Sequence, residues 1–170
     1  MPYKLTRPAA DFDSGSGLLL LEHFQMAYVT NDMNKARKIL RERLGIQAFA
    51  RLEGELSGGG YIEAEFAWVG TLMYEVICAR GAGSEIYNNR LPNVEGFMMK
   101  HHHLGFLIQN QAQWDAVQTN AKDKGWEMAA HSNNPLVEVC FVDAPELGHY
   151  LEYLFATPEG IAFFENVPRH

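Results

Sequence analysis

Four residues of this chain have side chains that disagree with their neighbours: His23, Glu75, His103 and Glu152. Glu75 falls in the run Leu72-Met73-Tyr74-Glu75-Val76-Ile77-Cys78, and Glu152 in His149-Tyr150-Leu151-Glu152-Tyr153-Leu154-Phe155. Residues two apart share a face of a strand, so Glu75 shares a row with Met73 and Ile77, and Glu152 with Tyr150 and Leu154. A carboxylate buried in an apolar row needs a cation or a donor. Two imidazoles and two carboxylates gathered together make a site for one divalent ion, with Ni, Co, Zn or Mn all suited. Singly, each has a plainer reading. A lone strand histidine is usually hydrogen-bonded, His101-His102-His103 fits an exposed loop, and Arg51 or Arg80 could neutralise a glutamate. The case for a metal rests on the four together.

What brings them together is a repeat. His103 follows His23 by 80 residues. His23-Phe24-Gln25-Met26-Ala27-Tyr28-Val29 runs into Thr30-Asn31-Asp32, and His103-Leu104-Gly105-Phe106-Leu107-Ile108 into Gln109-Asn110. Each is a short apolar strand leading to helix-capping residues. Met33, Ala36, Leu40 and Leu44 then recur at helical spacing, as do Trp114, Val117 and Ala121. Gly45 and Gly125 close the helices, each 22 residues after its histidine. Three strands follow in each half: residues 46–50, 61–69 and 72–79, then 126–129, 137–142 and 149–155. Gly58-Gly59-Gly60, Gly70-Thr71, Asn133-Asn134-Pro135 and residues 144–148 supply the turns. A two-residue turn at Gly70-Thr71 would pair Phe66 with Glu75 across the hairpin.

The fold class is therefore α+β, built from two tandem βαβββ modules. The expected divisions are an N-terminal arm (1–17), a first module (18–80), a linker (81–100), a second module (101–156) and a C-terminal tail (157–170). In the tail, Thr157 and Pro158 read as a helix start, and Ile161, Phe163 and Phe164 as its docking face.

Composition narrows the function. With 170 residues and 47% hydrophobic content the chain can bury one real core. A net charge of -7 disfavours a nucleic-acid partner, and the basic stretch 35–43 reads as the wet face of a helix. Cys78 and Cys140 sit in apolar runs, as buried free thiols of a reducing compartment do. The run 18–21 is too short for a signal sequence or a membrane span, so the expected location is the cytoplasm. Glu63 and Glu65 share a face expected to meet solvent. His131 and His149 read as surface or pocket residues.

Glu22-His23 with its strand, Tyr74-Glu75-Val76-Ile77, His102-His103-Leu104-Gly105-Phe106 and Leu147-Gly148-His149-Tyr150-Leu151-Glu152 resemble the glyoxalase/bleomycin-resistance/dioxygenase group. This is the vicinal-oxygen-chelate superfamily, and the nearest branch is methylmalonyl-CoA epimerase-like. The resemblance runs from about His23 to Phe155. It implies modules curled into a partly open barrel around the metal, and a homodimer. It implies an isomerase, epimerase or lyase acting on a small substrate by proton transfer beside a metal-chelated carbonyl. Glu152 or Glu75 would leave the metal to take the proton, with Phe66, Trp68, Phe106 and Tyr150 as apolar walls. In the epimerase branch a Gln often fills the position of Glu75, a departure that argues against acyl-CoA specificity. Two other readings fit the same family: a ring-cleaving non-haem iron dioxygenase using His23, His103 and Glu152 with Glu75 unbound, and a non-enzymatic binding protein with a vestigial set.

Overall fold

The computed structural model describes residue 6, residues 21–92 and residues 95–170. Apart from Thr6, the expected N-terminal arm lies outside the described residues.

Each half begins with a strand that runs into a capped helix. β1 (Glu22–Thr30) leads to α1 (Met33–Leu44), where Asp32 accepts a hydrogen bond from the Lys35 amide at 3.0 Å. Gly45, in the left-handed region at φ 75°, ends the helix by donating to the Arg41 carbonyl at 3.1 Å. β5 (Met99–Ile108) leads in the same way to α3 (Gln111–Asp123), capped by Asn110 on the Gln113 amide. Met33, Ala36 and Leu40 are the buried stripe of α1, and Trp114, Val117 and Ala121 that of α3. These are the apolar positions their spacing marks, except Leu44, which lies exposed in the last turn of α1. Between the halves, α2 is a single turn (Glu85–Asn88).

β2 (Ala50–Glu55), β3 (Tyr61–Val69) and β4 (Leu72–Arg80) complete the first half; β6 (Met128–Asn133), β7 (Val137–Ala144) and β8 (His149–Ala156) complete the second. All eight strands form one sheet in the order β2-β3-β4-β1-β5-β8-β7-β6. β1 pairs parallel with β4, β5 pairs parallel with β8, and β1 and β5 join the halves antiparallel. The sheet curls into a partly open barrel of two βαβββ modules, as expected. α1 and α3 pack outside it. The concave side carries Phe66, Ile77, Val139, Phe141 and Leu154. Across it lies α4 (Pro158–Glu165), capped by Thr157 with Pro158 in its first turn.

Several local expectations change. Residues 46–49 form no strand. Ile46 is fully buried against α1 and pins the loop, and pairing starts at Ala50. β6 likewise starts at Met128, two residues late, because Trp126 lies half exposed with the Lys124 ammonium 4.7 Å above its ring. Glu65 does not meet solvent. α1 covers that face, and Arg37 grips both Glu65 carboxylate oxygens, one at 2.9 Å. Phe163 and Phe164 dock, but Ile161 points outward. Arg51 pairs with Glu53 and Glu63, and Arg80 stacks on Tyr61, so neither is spent on Glu75 or Glu152. Both cysteines are free thiols. No helix among the described residues is long and apolar enough to cross a membrane.

Candidate metal centre

Glu75 lies opposite Ala27 on β1 and Glu152 opposite Gly105 on β5, at matching places in the two parallel strand pairs. Phe66 pairs with Glu75 across the β3–β4 hairpin, as the Gly70-Thr71 turn predicts. Glu75, His103 and Glu152 are all buried, and their ligand-type atoms lie within 4.8 Å of one another. His103 Nε2 sits 3.2 Å from Glu75 Oε2 and 3.0 Å from Glu152 Oε2.

His23 does not join them. Its Nε2 faces the Gln25 carbonyl at 3.0 Å, and its ring lies on Phe106 at 5.3 Å. The position that a twofold relation pairs with His103 belongs to Gln25. In strand register, Gln25 faces Gly105 just as His103 faces Ala27. The repeat therefore runs at 78 residues here, placing His23 on His101, Gln25 on His103 and the cap Asp32 on Asn110. His101 accordingly repeats what His23 does: its Nε2 lies 3.1 Å from the His103 carbonyl, and its ring meets Tyr28. The shared spacing to Gly45 and Gly125 arises because Gly125 follows one residue beyond the cap of a longer helix, so those glycines do not mark the strand register.

Gln25 Nε2 donates to Glu75 Oε2 at 3.0 Å. Gln25 Oε1, His103 Nε2 and Glu152 Oε2 are buried and make no aligned hydrogen bond with any described residue. Such orphans are rare inside proteins and invite a partner. Gly105 leaves the space they share, since a Cβ there would come within 2.6 Å of Gln25 Oε1 and 3.3 Å of Glu152 Oε2.

His102 explains how His103 is held. The β1–β5 register skips His102, a bulge that brings it to the same side as its neighbour. Its Nε2 donates to the Ile86 carbonyl at 3.0 Å, and its Nδ1 lies 2.8 Å from His103 Nδ1. Burial and the charge of His103 push the His102 pKa down to about 3, so it is neutral. A neutral ring that donates from Nε2 must accept at Nδ1. His103 therefore donates from Nδ1 and turns Nε2 toward the carboxylates. Burial opposes a proton on that nitrogen, but Glu152 and Glu75 more than offset it and raise the His103 pKa to about 9. Burial also raises Glu75, His103 pulls it back, and Glu152 adds to the rise.

Gln25, Glu75 and Glu152 open onto a cavity of about 790 Å³. Of the four expected wall residues only Phe66 lines it. Trp68 instead donates to the Phe164 carbonyl at 2.9 Å and bridges to Arg169, holding the C-terminal tail. Phe106 follows Gly105, so its side chain falls on the opposite face, in the outer core against Tyr153. Tyr150 packs on His102 beneath the Arg90 guanidinium. Tyr87, from α2, lines the cavity and stacks on His102 at 5.5 Å, and its hydroxyl has no partner among the described residues. Burial raises its pKa, so it remains a phenol. Sequence reasoning missed Gln25, His102 and Tyr87. The signal for the first two is His-x-Gln at 23–25 matching His-x-His at 101–103.

No family model matches this chain, and no curated protein does. Solved structures do match, and they establish the vicinal-oxygen-chelate fold. A methylmalonyl-CoA epimerase in complex with methylmalonyl-CoA and NH4+ superposes with a TM-score of 0.56 at 12% identity, covering 81% of this chain and 96% of that one. A Streptomyces coelicolor methylmalonyl-CoA epimerase variant bound to 2-nitronate-propionyl-CoA gives 0.56 and 12%, covering 81% and 99%. The Mycobacterium tuberculosis methylmalonyl-CoA epimerase gives 0.54 and 11%, covering 82% and 91%.

Proposed function

We propose that this chain is a metal-dependent enzyme of the isomerase, epimerase or lyase type, moving a proton beside the carbonyl of a small substrate. One observation carries the reading: Gln25 Oε1, His103 Nε2 and Glu152 Oε2, all buried and none in an aligned hydrogen bond, cluster with Glu75 beside a cavity that Gln25, Glu75 and Glu152 line. One imidazole, two carboxylates and an amide oxygen suit Zn, Ni, Co or Mn. Two carboxylates with neutral His103 balance a dication, whereas a proton on His103 leaves the cluster one negative charge in excess. The ion, when bound, supplies Lewis-acid polarisation of the substrate carbonyl.

The chain's own groups divide the remaining work. Glu75 is held by the Gln25 amide, while Glu152 Oε2 faces His103 Nε2 at 3.0 Å, a contact released once that nitrogen holds the ion, which makes Glu152 the better proton acceptor. The Tyr87 phenol lines the cavity and can donate to a substrate oxygen there. The iron dioxygenase reading needs two imidazoles and one carboxylate. With His23 turned to the Gln25 carbonyl, only one imidazole faces the carboxylates, so that reading loses its support. A homodimer in the cytoplasm is part of the same proposal, and light scattering on the purified protein tests the assembly.

Purification without a nickel column should give one divalent ion per chain. Candidate 2-hydroxy and 2-oxo carbonyl compounds incubated in D2O should exchange the proton beside the carbonyl, and Glu152→Gln should stop this. Exchange that survives both metal removal and Glu152→Gln would sink the proposal.

A further inference from the structure

The cavity above the cluster has a chemistry of its own. Leu52 and Ile62 form one wall, Val137 and Leu154 the other, and Phe163 and Phe164 of α4 close it. No lysine or arginine lines it among the described residues. The nearby guanidiniums are engaged elsewhere: Arg51 with Glu53 and Glu63, Arg80 on Tyr61, and Arg90 with Asp143. The charged residues beside the walls are Glu53 and Glu55, both exposed, and the chain carries a net charge of -7. Ser57, His131 and the Ser132–Asn134 stretch add neutral polar groups to the cavity lining, and His131 is paired with Glu138, while Gln25, Glu75, Glu152 and Tyr87 are the polar groups beside the cluster.

We infer that the molecule taken here is uncharged and largely apolar, of drug-like size, with two neighbouring oxygens at one end. The inference rests on the proposed function for the role of those oxygens, and on the cavity alone for the apolar body. About 790 Å³ lies within the range of small-molecule sites, whose walls are apolar and whose few polar groups fix orientation. The oxygen pair goes to the cluster, and the body lies between the leucine and valine walls under the two phenylalanines. A coenzyme A thioester meets the opposite conditions. Its pyrophosphate and 3′-phosphate would meet a cavity with no lysine or arginine among its described lining residues and with Glu53 and Glu55 beside it, which costs desolvation and repulsion together. The substrates named for the structural neighbours are therefore the wrong class for this chain.

The test is calorimetric titration of zinc-loaded and metal-stripped protein with four probes. These are 3-hydroxyflavone (apolar, with an oxygen pair), flavone (the same body without the pair), acetohydroxamic acid (the pair without a body) and methylmalonyl-CoA. On zinc-loaded protein 3-hydroxyflavone should bind roughly 100-fold or more tighter than methylmalonyl-CoA, since like charges in an interface cost several kcal/mol. It should also bind tighter than flavone or the hydroxamate. Leu52→Lys, which places an ammonium in the wall, should weaken 3-hydroxyflavone roughly tenfold or more and leave zinc stoichiometry unchanged. Val137→Lys replaces it if the first variant does not fold. Equal binding of both flavones with or without zinc, and none of the thioester, would uphold the apolar class and remove the metal's role. Methylmalonyl-CoA binding as tightly as 3-hydroxyflavone, or neither flavone binding, would overturn the inference.

Discussion

The two halves place different chemistry at the same backbone positions. The second half offers His103 and Glu152, the first Gln25 and Glu75. A bulge precedes the key residue in both, but the bulged residue differs. In the first half it is Phe24, which packs against Trp68 and Phe164. In the second it is His102, which fixes the tautomer of His103. The difference follows from what each residue needs. A glutamine amide has a donor end and an acceptor end and orients itself through Glu75. An imidazole has two nitrogens of interchangeable role, and something must choose between them. The duplicated frame sets positions, and the residue beside each position sets its chemical state.

The sharpest way to break this comparison is to remove the residues it contrasts. In a metal competition titration, His103→Ala should lose more than the roughly 10–100-fold that loss of an outer hydrogen-bond partner costs, and Gln25→Ala only about tenfold. Equal losses would mean that the halves contribute alike.

Proton competition probes the second half next, through His103. In the metal-free protein its pKa of about 9 keeps it protonated at neutral pH. An incoming ion must displace that proton, so affinity should rise about tenfold per pH unit from neutrality and level off above pH 9. Isothermal titration in buffers of differing ionisation enthalpy should show one proton released per ion at neutral pH. No release would place the proton elsewhere.

His102→Phe gives the second half the first half's bulge residue. His103 Nδ1–H then loses its acceptor, and metal affinity should fall roughly 10–100-fold with the circular dichroism spectrum unchanged. His102→Asn, which restores an acceptor oxygen, should recover part of it. Affinity indifferent to both changes would show that the ring is held by packing alone.

The last contrast lies outside the site and is read in stability rather than in metal affinity. α1 is tied to β3 by Arg37 on buried Glu65, whereas α3 leans on buried Trp114. Arg37→Ala strands the carboxylate and should cost about 2 kcal/mol in urea unfolding. Trp114→Ala should cost about 3–5 kcal/mol by opening a cavity.

The sequence makes much of this legible, for identifiable reasons. Period-2 and period-3.6 patterns mark α1, α3 and six of the eight strands, and the apolar rows around Glu75 and Glu152 mark the two acids. β2 and β6 hide because their exposed alternate residues read as loop. The imidazole of the first half is the instructive miss. His23 and Gln25 lie two apart on one strand, and aligning histidine with histidine overlooks the bulge that makes His101, not His103, the mate of His23. Tyr87 carries no sequence signal, since its role depends on where a single helical turn lands over His102.

The central claim is that one imidazole, two carboxylates and one amide oxygen hold a single divalent ion. X-ray absorption on the zinc-loaded protein counts imidazoles directly through their outer-ring scattering. The account predicts one imidazole and three oxygen ligands from the chain at about 2.0–2.2 Å, with the signal lost in His103→Ala. Two imidazoles per zinc, or an unchanged signal in that variant, would contradict it.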